Sequence, residues 1–393
     1  MSELEKLVDE AQRQFTICNA CRYCEDYCAV FPAMEERRLF TEGDLAYLST
    51  VCHDCRACYQ ACMYTEPHEF AINIPRLMSE GRLATYEQYA RPRWLAQLFD
   101  RARSTLVGAL VVAATVVVLI YVLATSAETL FTGNEGPGSF YTVFPHAAML
   151  ALALLLAGWA ILVCAVGARL FWRDIGGSGG GLRGPRLWWR AMVEAAELRW
   201  MRGGGDECHF PDAEEPTPLR RYTHVAVAGG FLLTFGATVA AAIEENVFGI
   251  LPPYPLLSVP VLLGTIGGVM VAAGCVGFLW MRRGAPAVLS SERTSRLGEA
   301  FTWSLLVVAL TGLALLALRE TTAMGPLLLV HLAAVFAFFL TAPYGHLVHA
   351  LYRSVAIARS VQERAQASPA AAVESKPRGD ELELVKAGGR IVP

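Results

Sequence analysis

The sequence predicts a mainly α protein: an N-terminal, ferredoxin-like, two-cluster helical head followed by a six-helix transmembrane bundle. Three observations carry that expectation. Eight of the 11 cysteines fall in two runs of one spacing, CNACRYCEDYC at 18–28 and CHDCRACYQAC at 52–62. Beyond residue 100 come six apolar stretches, each long enough to cross about 30 Å of hydrocarbon. Five of the eight histidines lie inside those stretches or at their ends.

Composition agrees. The chain is 54% hydrophobic and 18% charged, with a mean hydropathy of +0.38; this is too apolar for an ordinary soluble protein and suits a membrane bundle with a modest soluble part. A net charge of −3 gives no case for nucleic acid. The first 30 residues are polar and lack an apolar h-region, so no cleavable signal peptide is expected. The head is then expected in the reducing cytoplasm, where thiolates bind metal rather than form disulfides.

In chain order, residues 1–100 read as the soluble head, with helical patterns in TEGDLAYLST before Cys52 and in PRLMSEGRLATYEQYA from Pro75. The membrane domain, 101–352, holds spans near 105–126, 143–171, 223–243, 256–281, 300–318 and 326–350. The fourth, GTIGGVMVAAGCVG, is rich in small residues and should pack closely on a neighbour. Arginines set the orientation. The 172–221 loop carries eight and the 282–299 loop four, whereas 127–142 and 244–255 carry no Lys or Arg. Both termini are therefore expected in the cytoplasm, below an inner (cytoplasmic) membrane. LWWRAMVEAAELRWM (187–201) mixes Trp and Arg at helical spacing and reads as a helix on the membrane surface or an ordinary loop helix. Residues 353–393, rich in Ala, Pro and charge from 361 onward, read as a disordered cytoplasmic tail.

Each cysteine run is C-x2-C-x2-C-x3-C. Three cysteines two apart wrap one face of a cubic cluster, and in ferredoxins with two such runs the fourth cysteine ligates the other cluster. Transferred here, Cys18, Cys21, Cys24 and Cys62 would hold one [4Fe–4S] cluster, and Cys52, Cys55, Cys58 and Cys28 the other. Structural zinc instead takes two separated pairs. One departure bears on the pairing: the ferredoxin run has Pro directly after its fourth cysteine, whereas here Pro32 and Pro67 follow Cys28 and Cys62 by four and five residues.

An ionisable side chain in a membrane span is a functional candidate. His331 and His349 are 18 residues apart. On one continuous helix that is five whole turns, which puts both on one face about 27 Å apart. His346 is rotated by about 60° from that face and is the weaker candidate. His146 opens the second span at the depth of His331, and His224 opens the third at the depth of His349. The expected haem ligands are thus two pairs at two depths, His146 with His331 and His224 with His349, for one or two b-type haems. No C-x-x-C-H is present for c-type attachment. A polar packing contact or proton-handling site is the competing reading of either pair.

The stretches CNACRYCEDYCAVFPAMEERRLF, VCHDCRACYQACMYTEPHEFAINIPR, GGGDEC and LTAPYGHLVHALYRS together resemble the tricarballylate/citrate utilisation protein B family over nearly the whole chain except the tail. The resemblance implies an iron–sulfur and haem membrane protein. Such a protein reoxidises the reduced flavin of a separate FAD-dependent tricarballylate dehydrogenase and passes electrons to the quinone pool. The eight cysteines would be the cluster ligands and the membrane histidines the haem ligands. The chain has no nucleotide-binding Gly-rich fingerprint of its own, so substrate choice would belong to the flavoprotein. Rival readings are the cytochrome-b-type subunit of a heterodisulfide-type reductase, a redox-sensing membrane protein, and a tricarboxylate transporter, for which broken helix pairs and internal repeats are not evident. Glu244, Glu245, Arg319 and Glu320 on one side, and Arg220, Arg221 and His346 on the other, are candidates near a quinone. Cys164 and Cys275 read as packing residues, and Cys208 has no reading from sequence.

Overall fold

The computed structural model describes residues 3–132, 136–177, 184–198, 201, 208–209, 216–284 and 286–374. Among them the structure is helical, and the sole β feature is an isolated bridge between Cys208 and Thr217.

The head is built from α1 (Glu3–Cys21), α2 (Val30–Glu35), α3 (Glu42–Val51), α4 (Ala57–Gln60), α5 (Ile74–Tyr89) and α6 (Arg93–Leu98). Local signals fix its starts. Thr41 and Asp44 form a reciprocal capping box on α3, and Asn73 caps α5 by accepting from the Arg76 amide, with Pro75 in the first turn. Phe15 of α1, Tyr47 and Leu48 of α3 and Met78 of α5 are fully buried and form the common core of the three longest head helices.

Six helices are long and apolar enough to cross a membrane: α7 (Ala102–Ala124), α9 (His146–Asp174), α11 (Leu219–Phe248), α12 (Val259–Arg283), α13 (Glu292–Ala317) and α14 (Met324–Thr341). The short α8 (Ser139–Val143) precedes α9, and α10 (Pro185–Ala196) follows it. α14 is the most enclosed of the six and packs against α7, α9 and α13. The expected close approach of the small-residue span is found between α11 and α12. A Cβ on Gly230 would stand 2.7 Å from the Gly267 carbonyl oxygen, and one on Gly267 would stand 2.7 Å from that of Gly230, so neither position has room for a side chain.

The last helix departs from expectation. The sixth span does not run from 326 to 350. α14 ends at Thr341, the chain turns through 342–347, and α15 (Val348–Glu374) begins anew. His331 and His349 are therefore on different helices, and the shared-face, five-turn relation between them does not hold. Pro343 supplies the physical reason: Ala342 before it still has helical dihedrals and bonds the Phe338 carbonyl, but proline has no N–H with which to continue the ladder. Nor is 353–393 a disordered tail throughout. α15 continues to Glu374 and packs on α3, α9 and α10, while 375–393 lie outside the described residues.

α15 fastens the head to the bundle. Arg37 of the head donates to Glu363 at 2.6 Å, and the Tyr47 hydroxyl donates to the same carboxylate at 2.9 Å. The turn between α12 and α13 joins from another side: Asn73 donates to the Val288 carbonyl at 2.9 Å, and Arg293 pairs with Glu87 at 2.5 Å. The segment expected at a membrane surface contributes α10, whose Ala191 is fully buried and whose Glu194 pairs with Arg364 of α15 at 2.6 Å. Residues 199–200 of that segment lie outside the described residues, as do 202–207, with most of the GGGDEC stretch.

Candidate functional site: two cysteine cavities and a histidine cluster

The two cysteine runs fold into crossed sets. Cys18, Cys21, Cys24 and Cys62 line one cavity of about 420 Å³ of atom-free space, partly open to solvent. Cys28, Cys52, Cys55 and Cys58 line a second of about 410 Å³. Phe31 lies in both walls, so the cavities are neighbours. The exchange follows from the short connections. α1 ends at Cys21, and the chain carries Cys28 to the base of α2 beside the second run; the one-turn α4 likewise carries Cys62 back to the first.

The backbone between the cysteines is held in unusual conformations. Arg22, Asp54 and Arg56 all have positive φ, at 57°, 54° and 65°. For residues with a side chain this region is sparsely populated and marks a constrained functional turn. Amides face the sulfurs: the Asp54 N–H, in one of these turns, donates to Cys52 Sγ, and the Tyr64 N–H, just after the second run, donates to Cys62 Sγ, each at 3.4 Å. The Val30 and Phe31 amides, at the start of α2, donate to the Cys28 sulfur.

Burial, reinforced by the neighbouring cysteines, pushes the Cys18 thiol up to about 12 and that of Cys24 up to about 11. Burial likewise drives Cys28 and Cys58 well above their ordinary value. Four sulfurs this close, most of them shielded from solvent, can share one cavity as thiolates only around a strongly positive centre. Among the described residues, no three His, Cys, Asp or Glu side chains close on a single-ion position. Four thiols ringing a cavity, with amides turned toward sulfur, fit the donor set of an iron–sulfur cube.

Cys208 and His209 flank the second cavity. The His209 amide donates to the Cys55 carbonyl at 2.9 Å, and the buried Cys208 thiol approaches the same oxygen at 3.5 Å. Arg220 donates to Cys208 Sγ at 3.5 Å and also to the Asp54 carbonyl. Cys208 is thus part of the wall that covers the second run. The GGGDEC stretch that ends in Cys208 carries part of the family resemblance, but nothing local to it places the residue beside the second run, which is distant in sequence.

The histidines divide differently from the expected two pairs. His224 of α11 and His349 of α15 do meet, with ring centroids 6.3 Å apart and planes at 78°. His346 joins them, stacked on His349 at 4.9 Å, so the residue expected to be the weaker candidate belongs to the cluster. His349 Nδ1–H donates to the His346 carbonyl at 2.6 Å, which leaves Nε2 with its lone pair, the arrangement that orients metal-binding histidines. With metal–imidazole bonds of about 2 Å, two rings on one metal have centroids about 6 Å apart. The spacing of the His224 and His349 rings would allow both to face one metal centre between them. The His224 and His346 Nδ1 atoms are buried without a hydrogen-bond partner.

The two residues of the expected outer pair each have another polar partner. His146 Nε2 lies 3.2 Å from the Glu245 carboxylate, which also accepts from the Tyr141 hydroxyl at 2.7 Å. His331 Nδ1 is instead 3.0 Å from the Thr311 hydroxyl, and its ring lies against Gly312. Among the described residues, no ring contact joins His146 to His331. Each has a polar partner on a neighbouring helix that the one-helix geometry did not anticipate.

The family model described as citrate utilization protein B matches residues 100–370, and that of the citrate utilization protein B Fer4-like domain matches 11–91. Citrate utilization protein B of Escherichia coli is 38% identical over 384 residues, spanning 93% of this chain and 97% of that protein. No solved structure matches. The Fer4-like head and its eight grouped cysteines point to an iron–sulfur electron-transfer role, and the six apolar helices are compatible with a multi-pass membrane protein. With one family model over the helical region, another over the head and a relative aligned nearly end to end, the chain belongs to the citrate utilization protein B family.

Proposed function

We propose that this protein takes electrons from the reduced flavin of an FAD-dependent tricarballylate/citrate-type dehydrogenase and delivers them to the quinone pool of the inner (cytoplasmic) membrane. The head and both termini would then lie in the cytoplasm. When bound, two [4Fe–4S] clusters and a b-type haem would supply one-electron transfer, the chemistry that links a two-electron flavin to a membrane acceptor.

The observation that carries this reading is the adjacency of the second cysteine set and the histidine pair. Arg353 Nη2 donates to the Cys52 carbonyl at 2.7 Å, and His349 stands one turn earlier on the same helix. The chain's own residues would hold, orient and shield. Cys18, Cys21, Cys24 and Cys62 lie toward the open side of the head, where a soluble donor can dock. Cys28, Cys52, Cys55 and Cys58 lie deeper, covered by Cys208 and Arg220. His224 and His349 would hold the haem iron.

The test is a reduced-minus-oxidised spectrum with a pyridine haemochrome assay and an iron count on the detergent-purified protein. About eight non-haem irons per chain and a low-spin b-type spectrum are expected, with the haem reoxidised on adding a quinone. A preparation with intact clusters and no haem would sink the proposal.

A further inference from the structure

The seam between the head and the histidine cluster holds buried cationic donors that, among the described residues, no carboxylate neutralises. Arg82 and Tyr86 sit one turn apart on α5, and Arg353 faces them from α15. Arg82 is 8% exposed and Tyr86 6%. Arg82 Nε donates to the Ser49 carbonyl at 3.1 Å, and Arg353 Nη2 to that of Cys52 at 2.7 Å. Arg82 Nη2, Arg353 Nε and the Tyr86 hydroxyl are buried with no hydrogen-bond partner.

Both arginines bond neutral carbonyls, and among the described residues neither is ion-paired with a carboxylate. Asp54, the nearest acid of the second cysteine run, faces Arg56 and Arg220 instead, 3.9 Å from each. The two guanidinium charges act on each other and on His346 and His349; the groups that offset Arg353 are the Tyr86 hydroxyl and the Cys52 thiol, and the Tyr86 ring lies 6.2 Å from that of His346. A buried guanidinium left without an anion is costly, and three unpartnered donors on one side of a histidine cluster call for an acceptor-rich anion. A neutral acceptor would satisfy hydrogen bonds but leave the charge.

We propose that Arg82 and Arg353, with the Tyr86 hydroxyl, form a carboxylate-binding site that receives the propionate arms of the haem held by His224 and His349. This rests on the haem reading above and adds to it: the cofactor's orientation, propionates toward the head and the second cysteine set, is fixed by the seam. The same two arginines would then tie the cofactor to Ser49 and Cys52, the carbonyls they already bond.

The test uses the full-length protein in detergent, stripped of haem, titrated optically with b-type haem and with its dimethyl ester, whose carboxylates are capped. The free acid should bind at least about tenfold more tightly than the ester, the size of effect that charge-assisted hydrogen bonds produce. In Arg82→Gln/Arg353→Gln the gap should shrink to within about twofold, the acid losing affinity and the ester little changed. The wild-type comparison stands even if the double variant fails to fold. Equal binding of acid and ester by the wild type overturns the inference while leaving the haem reading intact. Binding of neither overturns the haem reading, and this inference with it.

Discussion

Arg353 Nη2 donates to the main-chain carbonyl of Cys52 at 2.7 Å, a bond between residues 301 positions apart that joins the last helix to the second cysteine run. Its partner is the backbone of a proposed ligand residue, so the bond bears directly on where that ligand stands. Arg353→Leu should leave the Cys52 carbonyl unpaired and destabilise the purified protein by about 1–3 kcal/mol. Thermal unfolding in detergent would register this, and iron should be lost faster from the second set than from the first. Arg364→Leu, which removes a pair with Glu194 at a half-exposed position, should cost under about 1 kcal/mol.

The crossed cavities make an unusual prediction about which cysteine belongs to which cluster. Cys62→Ser should damage the same cluster as Cys18→Ser, and Cys28→Ser the same cluster as Cys52→Ser, although each of the first-named residues lies in the other run. Electron paramagnetic resonance of the reduced variants would sort the four into two matching pairs. Pairing by run, Cys62 with Cys52, would refute the crossing.

Haem retention should separate the histidines. His224→Ala and His349→Ala are expected to lose the low-spin b-type spectrum. His331→Ala and His146→Ala should keep it, because these two are engaged by Thr311 and Glu245. Loss of half the haem in His331→Ala would restore the outer pair.

Packing of α11 on α12 leaves no space at Gly267. Gly267→Val forces a side chain against the Gly230 carbonyl and should lower stability by about 1–3 kcal/mol or more, seen as a drop in the thermal midpoint. Gly158→Ala, with nothing within 4 Å of the added Cβ, should be neutral or mildly stabilising by about 0.5–1 kcal/mol, since alanine is the better helix former.

How much of this was legible in the sequence depended on whether the signal was local. The cysteine spacing is local, and it led to both cavities. The crossed pairing came only through likeness to ferredoxins, and the missing proline weakened it. In the structure Cys28 reaches the second run just before α2 begins, and Cys62 returns to the first just after the one-turn α4. Six helices were legible from apolar length. Where the last one ended was misjudged, although Pro343 and Gly345 carried the signal: treating 326–350 as one rod put His331 and His349 on a common face and made a second, outer pair look natural. His346, discounted on that rod, stacks on His349 because the chain turns. Arg82 and Arg353 were invisible for a different reason. Arginine in an ordinary helical pattern reads as a solvated face, and only docking of α15 on the head shows that both are enclosed.

The break at 342–347 also has a consequence in time. His349 and Arg353 lie on the helix that follows all six spans, so they are the last of these parts to leave the ribosome. Until α15 folds back, the second cysteine run lacks its hydrogen bond from Arg353 and the histidine cluster lacks a member. The seam between the head and the helical region therefore closes only once residues from beyond the sixth apolar helix are in place.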